Sequence, residues 1–285
     1  MNALISSTRA EVLRLRKWPA LWVMVGVWLV LNVTFGYVFT YITYATGDAT
    51  AVGEGVPPQQ LLADMMPAAV PQSLVAGMPM FGGAIMLILG GLAVGSGYGW
   101  GAWKTVFTQG PGRLSGFGGT LVALGVIVTG TVVATFAVDL GVSVLIASVE
   151  SQTIIWPTAA GSAEAIGAGL LIFGMWTTAG VLVGTLARSP ALAVGLGLVW
   201  ALVVENLLRG VAGMLGPVEA VTDLMPGTAA GSLAGALGVA TQDDGNGTPG
   251  VLTVLDAAPA GWLLSAYVVV FAGIALMFVR RRDVT

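Results

Sequence analysis

FGGTLVALGVIVTGTVVATFAVDLGVSVLIA, residues Phe117–Ala147, carries one charge, Asp139, in an otherwise apolar and small-residue run. A helix rises about 1.5 Å per residue, so this run exceeds the ~20 residues that cross a ~30 Å hydrocarbon core. A helix at the surface of a soluble protein would show a broad polar face, and this segment has none. It reads as a membrane span, long enough to tilt or to protrude. Five more stretches read the same way, at about 20–44, 78–98, 164–187, 191–208 and 260–279. The expected fold is an all-α integral membrane protein with six transmembrane helices.

Composition points the same way. The chain is 56% hydrophobic and 9% charged, with a mean hydropathy of +0.91, whereas soluble domains run near a quarter charged. Its 42 glycines suit helices that approach one another closely in a membrane. There is no Cys and no His, which excludes disulfides, thiolate nucleophiles, imidazole bases and most transition-metal sites. No nucleic-acid partner is expected.

Residues 1–19 form a prelude to the 20–285 transmembrane domain. On a helical wheel Leu4, Ile5, Val12, Leu15 and Trp18 share one arc, and Arg9, Arg16, Lys17, Ser6 and Ala10 lie around the other. Glu11 and Leu13 are exceptions. The pattern is that of an amphipathic helix lying in the interface, broken at Trp18-Pro19. It is polar and basic, and the apolar stretch after it is too long for a cleavable signal peptide, so an anchor is expected.

Span one ends in Tyr37, Tyr41 and Tyr44, an aromatic belt. An acidic, Pro-rich segment follows, with Asp48, Glu54 and Asp64, in which Gln59–Met66 suits a short surface helix. Before span six, Val211–Leu215 and Thr228–Val239 suit short re-entrant helices in the outer leaflet, and Thr241–Gly250 a flexible tip. Arg9, Arg14, Arg16, Lys17, Lys104, Arg113, Arg188 and Arg280–Arg282 fall on one side of this layout, and only Arg209 does not. Glu150, Glu219, Asp223, Asp243, Asp244 and Asp256 fall on the other with the first three acids. The positive-inside bias then puts both termini in the cytoplasm.

No GxxxxGK[ST] sequence occurs, so the chain has no phosphate-cradling loop of its own. Gly91…Gly95 and Gly180…Gly184 have GxxxG spacing, which reads either as close helix contact or as a Gly-rich helix without it. The loop Trp100–Arg113 holds two Trp, a Phe, two cations and a Gly110-Pro111 stop. A helix from Gly101 to Gln109 would put Trp100, Lys104 and Phe107 or Thr108 on one stripe. Such a stripe suits docking into a groove on a partner, or an interfacial aromatic anchor beside positive-inside cations.

Glu205 and Arg209, spaced i, i+4 near the outer end of span five, form an intramembrane polar pair, either structural or lining a path or interface. Asp139 lies about 20 residues into span three and is expected at the outer headgroups as a solvated end. Asp243-Asp244-Gly245-Asn246-Gly247 lacks the spacing and terminal Glu of a calcium loop and reads as an acidic turn. Asn246-Gly247-Thr248 fits a glycosylation sequon. No nucleophile–base constellation for an intramembrane enzyme is evident.

The layout resembles the permease subunits of type 2 ATP-binding cassette exporters over nearly the whole chain. The resemblance is carried by the basic helix Leu4–Trp18, the Pro-rich outer segment after span one, and the half-helical region before span six. It is carried also by Trp103-Lys104-Thr105 followed by Gly110-Pro111 and Arg113 between spans two and three. It implies a separate ATP-binding subunit in two copies, holding ATP and Mg, and no cofactor or catalytic site on this chain. Trp100, Trp103, Lys104, Thr105, Phe107, Gln109 and Arg113 would act as the coupling helix on which that subunit docks, beside Glu11, Arg14, Arg16 and Lys17. A second permease, identical or paralogous, would meet this one through spans one and five. The cargo would be an amphipathic drug, peptide or lipid-like molecule, and the setting the plasma membrane. The rival classes are a stand-alone secondary transporter or channel, which needs ionisable groups buried near mid-membrane, and a non-transporting assembly subunit.

Overall fold

The computed structural model describes residues 2–47, 56–109, 112–212, 216–241 and 247–281. Among them there is no β-strand, and six helices are long and apolar enough to cross a membrane. They are span one (Pro19–Thr46), span two (Met78–Gly99), span three (Arg113–Val149), span four (Ala159–Ala187), span five (Pro190–Ala212) and span six (Ala257–Arg281). Asp48, Glu54, Gly110, Pro111, Asp243, Asp244, Gly245, Asn246 and Arg282 lie outside the described residues, as do residues 213–215 of the first expected re-entrant helix.

Each expected span is found, and the helices match its bounds or overrun them by up to five residues. Span four starts at Ala159 rather than Glu164 because Thr158 caps it, its side chain accepting from the Gly161 amide at 3.1 Å. Span three begins at Arg113 directly after the extended Gly112. The N-terminal helix runs Asn2–Arg16. Trp18 is extended ahead of Pro19, which takes the first helical position of span one. The Trp22 ring N–H, donating to the Arg16 carbonyl at 2.7 Å, ties the two helices across that break.

The short helix expected at Gln59–Met66 is Pro58–Asp64, followed by a second, Val70–Ala76, that the pattern did not announce. The one expected at Thr228–Val239 is Pro226–Ala236. It ends early because Gly238 turns the chain at φ +89. A helix at Gly216–Asp223 was not anticipated.

Spans two and four form the centre. In span two 72% of the apolar window is buried, against 17–22% in spans one, five and six. Small residues make this contact. A Cβ on Gly180 would collide with the Leu87 carbonyl, one on Gly90 with the Thr177 carbonyl, and one on Gly184 would lie 2.9 Å from the Gly91 carbonyl. The GxxxG spacing of both helices therefore marks close contact. Trp176 reinforces it, its ring N–H donating to Pro79 O at 3.0 Å. Outward-facing residues of spans one, five and six are apolar, Trp22, Val27, Val30, Leu192, Leu196, Val203, Trp262 and Val269 among them. Such an apolar exterior suits lipid or another apolar partner.

Candidate functional site

Two constructions stand out, one at the basic end of the bundle and one along the seam between spans one and three. At the basic end the expected helix between spans two and three runs Ala102–Gln109. Gly101, at φ +66, turns the chain out of span two, a conformation that Gly adopts without strain. Trp103 then points back into the bundle and is 4% exposed. Its ring N–H donates to Val94 O at 3.1 Å, and its ring fills the notch left by Gly97, where a Cβ would touch it. Tyr98 and Phe117 flank it, with ring centroids 6.1 and 5.6 Å away. The Arg188 guanidinium covers the other face of this layer, 5.8 Å from the Tyr98 ring centre.

Trp103 was expected among the residues on which a partner docks, and the structure buries it as an anchor. Trp100 is 71% exposed, and Lys104 and Thr105 also face outward. The side chains of Phe107 and Gln109 lie outside the described residues, and Arg113 is half-buried at the start of span three. The burial of Trp103 follows from its neighbour Gly97, since an indole needs a recess and a glycine two turns back in span two supplies one.

The N-terminal helix is bound to the same layer. Glu11 and Arg14 pair at 2.7 Å, and the Arg14 guanidinium reaches on to Ala93 O of span two at 3.3 Å. Leu15 is fully buried, and Ser7 lies against Gly119 of span three. Arg16 and Lys17 face outward. Of the four residues expected to contact a partner from this helix, two are thus engaged internally and two are presented.

The seam between spans one and three is a ladder of polar contacts. Trp28 Nε1 donates to Thr135 Oγ1 at 2.9 Å, and Asn32 Nδ2 to Asp139 Oδ1 at 2.6 Å. Ser143 Oγ donates to the Tyr37 hydroxyl at 3.3 Å. Tyr41 and Tyr44 donate to the two carboxylate oxygens of Glu150 at 2.8 and 3.0 Å. On span three the partners fall at 135, 139 and 143, every fourth residue. On span one they fall at 28, 32 and 37, with one extra residue in the last step. That residue is absorbed by a π-helical turn at Thr34–Val38. π-turns of this kind are often found at functional sites, and this one keeps the ladder in register.

Asp139 was expected at a solvated helix end. It is fully buried, and its Oδ2 has no hydrogen-bond partner. The helix continues ten residues beyond it, about 15 Å at 1.5 Å per residue, and that end of the helix is marked instead by Glu150 and the tyrosine belt. Thr131, Thr135, Asp139 and Ser143, all buried, form an i, i+4 stripe on span three that could have been read from the sequence. The partners Asn32 and Tyr37 could not, because their pairing depends on the π-turn.

Glu205 and Arg209 do not join through their side chains. Glu205 is fully buried and accepts from Trp200 Nε1 at 2.9 Å. Its other oxygen lies against Gly227, in the first turn of Pro226–Ala236, where a Cβ would collide with it. The positive end of that helix favours a carboxyl there. Arg209 turns to Asn206 Oδ1 at 3.1 Å and to the Glu205 backbone carbonyl.

Among the described residues no group of three or more acids could hold a metal ion. No model of a known protein family matches the sequence, and no curated protein matches it.

Proposed function

We propose that this chain is the membrane-spanning permease subunit of an ATP-driven exporter of the type 2 ATP-binding cassette kind, working with a separate nucleotide-binding subunit. The observation that carries the reading is the helix Ala102–Gln109, a short rod held to the bundle by buried Trp103 with Trp100, Lys104 and Thr105 turned outward. A rod fixed at its root and presented at its surface can pass a push from a partner to spans two and three. The N-terminal helix, lying amphipathically at the cytoplasmic interface, presents Arg16 and Lys17 beside it. The helices Val70–Ala76 and Pro226–Ala236 then sit in the outer leaflet as partial, re-entrant elements.

In this reading both termini are cytoplasmic, and the chain lies in the plasma membrane as a multi-pass protein. Two ATP-binding subunits hold ATP and Mg, and a second permease, identical or paralogous, completes the pathway along spans one and five. Closure of the nucleotide subunits shifts the two-state bundle through contacts that differ between its states, and an amphipathic drug, peptide or lipid-like cargo leaves the membrane.

The test is whether the chain, isolated from its own cells, brings down an ATP-binding cassette subunit, and whether that complex hydrolyses ATP. Trp100→Ala together with Lys104→Ala should lower cargo-stimulated hydrolysis at least tenfold while leaving thermal stability within about 0.5 kcal/mol, as exposed substitutions do. Unchanged hydrolysis and complex formation in that double variant would remove the docking assignment.

One observation favours a second reading. Asp139 is an ionisable group buried inside a span, as a stand-alone secondary transporter would need. Uptake by the purified chain alone in liposomes, driven by an ion gradient and without nucleotide, would select that reading over the first.

A further inference from the structure

The seam between spans one and three carries an acid that the coupling of this chain to a partner does not use. Asp139, Thr135 and Ser143 are each fully buried, Asn32 donates to one oxygen of the Asp139 carboxyl, and the other oxygen has no partner. A carboxylate with one oxygen unserved is severely penalised in a low-dielectric interior, whereas a neutral acid with one unmade hydrogen bond is penalised far less. Among the described residues no Lys or Arg side chain is paired with it. The closely packed seam leaves a proton as the smallest cation able to neutralise the group.

The geometry points to Asp139 as a proton-binding site: spans one and three close on the neutral acid and part when the carboxylate forms. On opening, the O–H bond of the acid breaks, its electron pair stays on the carboxylate, and the proton passes to water admitted between the helices. Closure reverses the step. Span one is suited to move, since only 22% of its apolar window is buried and the ladder is its main polar tie to the bundle.

The titratable group nearest Asp139 across the seam is Tyr37. The helix Val70–Ala76 brings only Ser73 toward that hydroxyl. The charged groups on the other elements packed against span three lie at its ends. These are Arg9, Glu11, Arg14 and Arg16 of the N-terminal helix and Lys104, with Arg280 and Arg281 of span six, at the basic end, and Glu164 of span four at the other. None of them is placed to neutralise Asp139. The inference stands apart from the ATP-binding partner, and its test uses the full chain alone in lipid nanodiscs.

The chain has no Cys, so Ile42→Cys with Leu145→Cys places one spin label on each span, at exposed positions. The distance between labels should shift to longer values as pH rises, and should stay short and independent of pH when Asp139→Asn is added. Infrared difference spectra should show a carboxylic-acid carbonyl band that disappears as pH rises and is missing in Asp139→Asn. A contribution from Glu205 is removed by Glu205→Gln. Asn32→Leu keeps the acid but removes its donor, so the band should persist at a shifted frequency. That variant and the wild-type titration decide the matter if Asp139→Asn does not fold. A distance change that survives Asp139→Asn, one that follows sodium at fixed pH, or the lack of an acid band belonging to Asp139 at any pH would each overturn the assignment.

Discussion

Gly180 has no room for a side chain, because a Cβ there would meet the carbonyl of Leu87 on the facing helix. Backbone cannot rotate away as a flexible side chain can, so Gly180→Ala must push spans two and four apart. Overpacking of this sort destabilises by about 1–3 kcal/mol. Gly125 of span three has nothing within 4 Å of its Cβ position. Gly125→Ala should be neutral or slightly stabilising, since Ala is the better helix former by up to about 1 kcal/mol. Thermal unfolding in one detergent compares the two, and equal midpoints would show that spans two and four are not in close contact. The same distinction separates Trp103 from Lys104. Removing the buried indole should cost about 3–5 kcal/mol, and removing the exposed amine almost nothing.

The six spans were legible at the level of elements, because twenty or more apolar residues in succession admit few other readings. The short helices between the spans were legible only in part. Pro58–Asp64 is amphipathic enough to be seen, whereas Val70–Ala76 is only seven residues long, too short for the spacing of its buried Val70, Pro71, Leu74 and Val75 to stand out in a Pro-rich segment. The polar seam was hidden for a different reason. Apolar patterning does not distinguish an α-turn from a π-turn, so nothing in TFGYV, residues 34–38, shows that one residue is to be absorbed there. This gives a test at the same scale. Deleting Gly36, beside which a Cβ would meet nothing within 4 Å, should return the segment to α-helix. Trp28–Thr135 and Asn32–Asp139 would persist, and Tyr37 would then follow Asn32 by four residues, as Ser143 follows Asp139, so Tyr37 and Tyr41 would keep facing Ser143 and Glu150. Protection from proteolysis should therefore stay as in the parent chain along the whole of span one, from Pro19 to its tyrosine end. Faster cleavage near the tyrosine end would mean that the π-turn does not set the register.

At the scale of the whole molecule, the charges and the packing describe one polarity. Arg14, Trp103 and Arg188 gather around the end of span two, and Tyr41, Tyr44 and Glu150 mark the opposite end of spans one and three. Cations resist transfer to the outer side, so the end holding Lys104 should face the cytoplasm. That placement is also the one condition under which an ATP-binding partner can reach the outward face of Ala102–Gln109. The chain's lack of cysteine permits a direct measurement. Lys104→Cys and Ile155→Cys both introduce thiols at exposed positions. In intact cells a membrane-impermeant maleimide should label position 155 and spare position 104, and in inverted vesicles the preference should reverse. If position 104 is labelled from outside, the helix that bears it points away from every source of ATP, and the exporter reading fails. The Asp139 seam, which depends only on the packing of spans one and three, would stand.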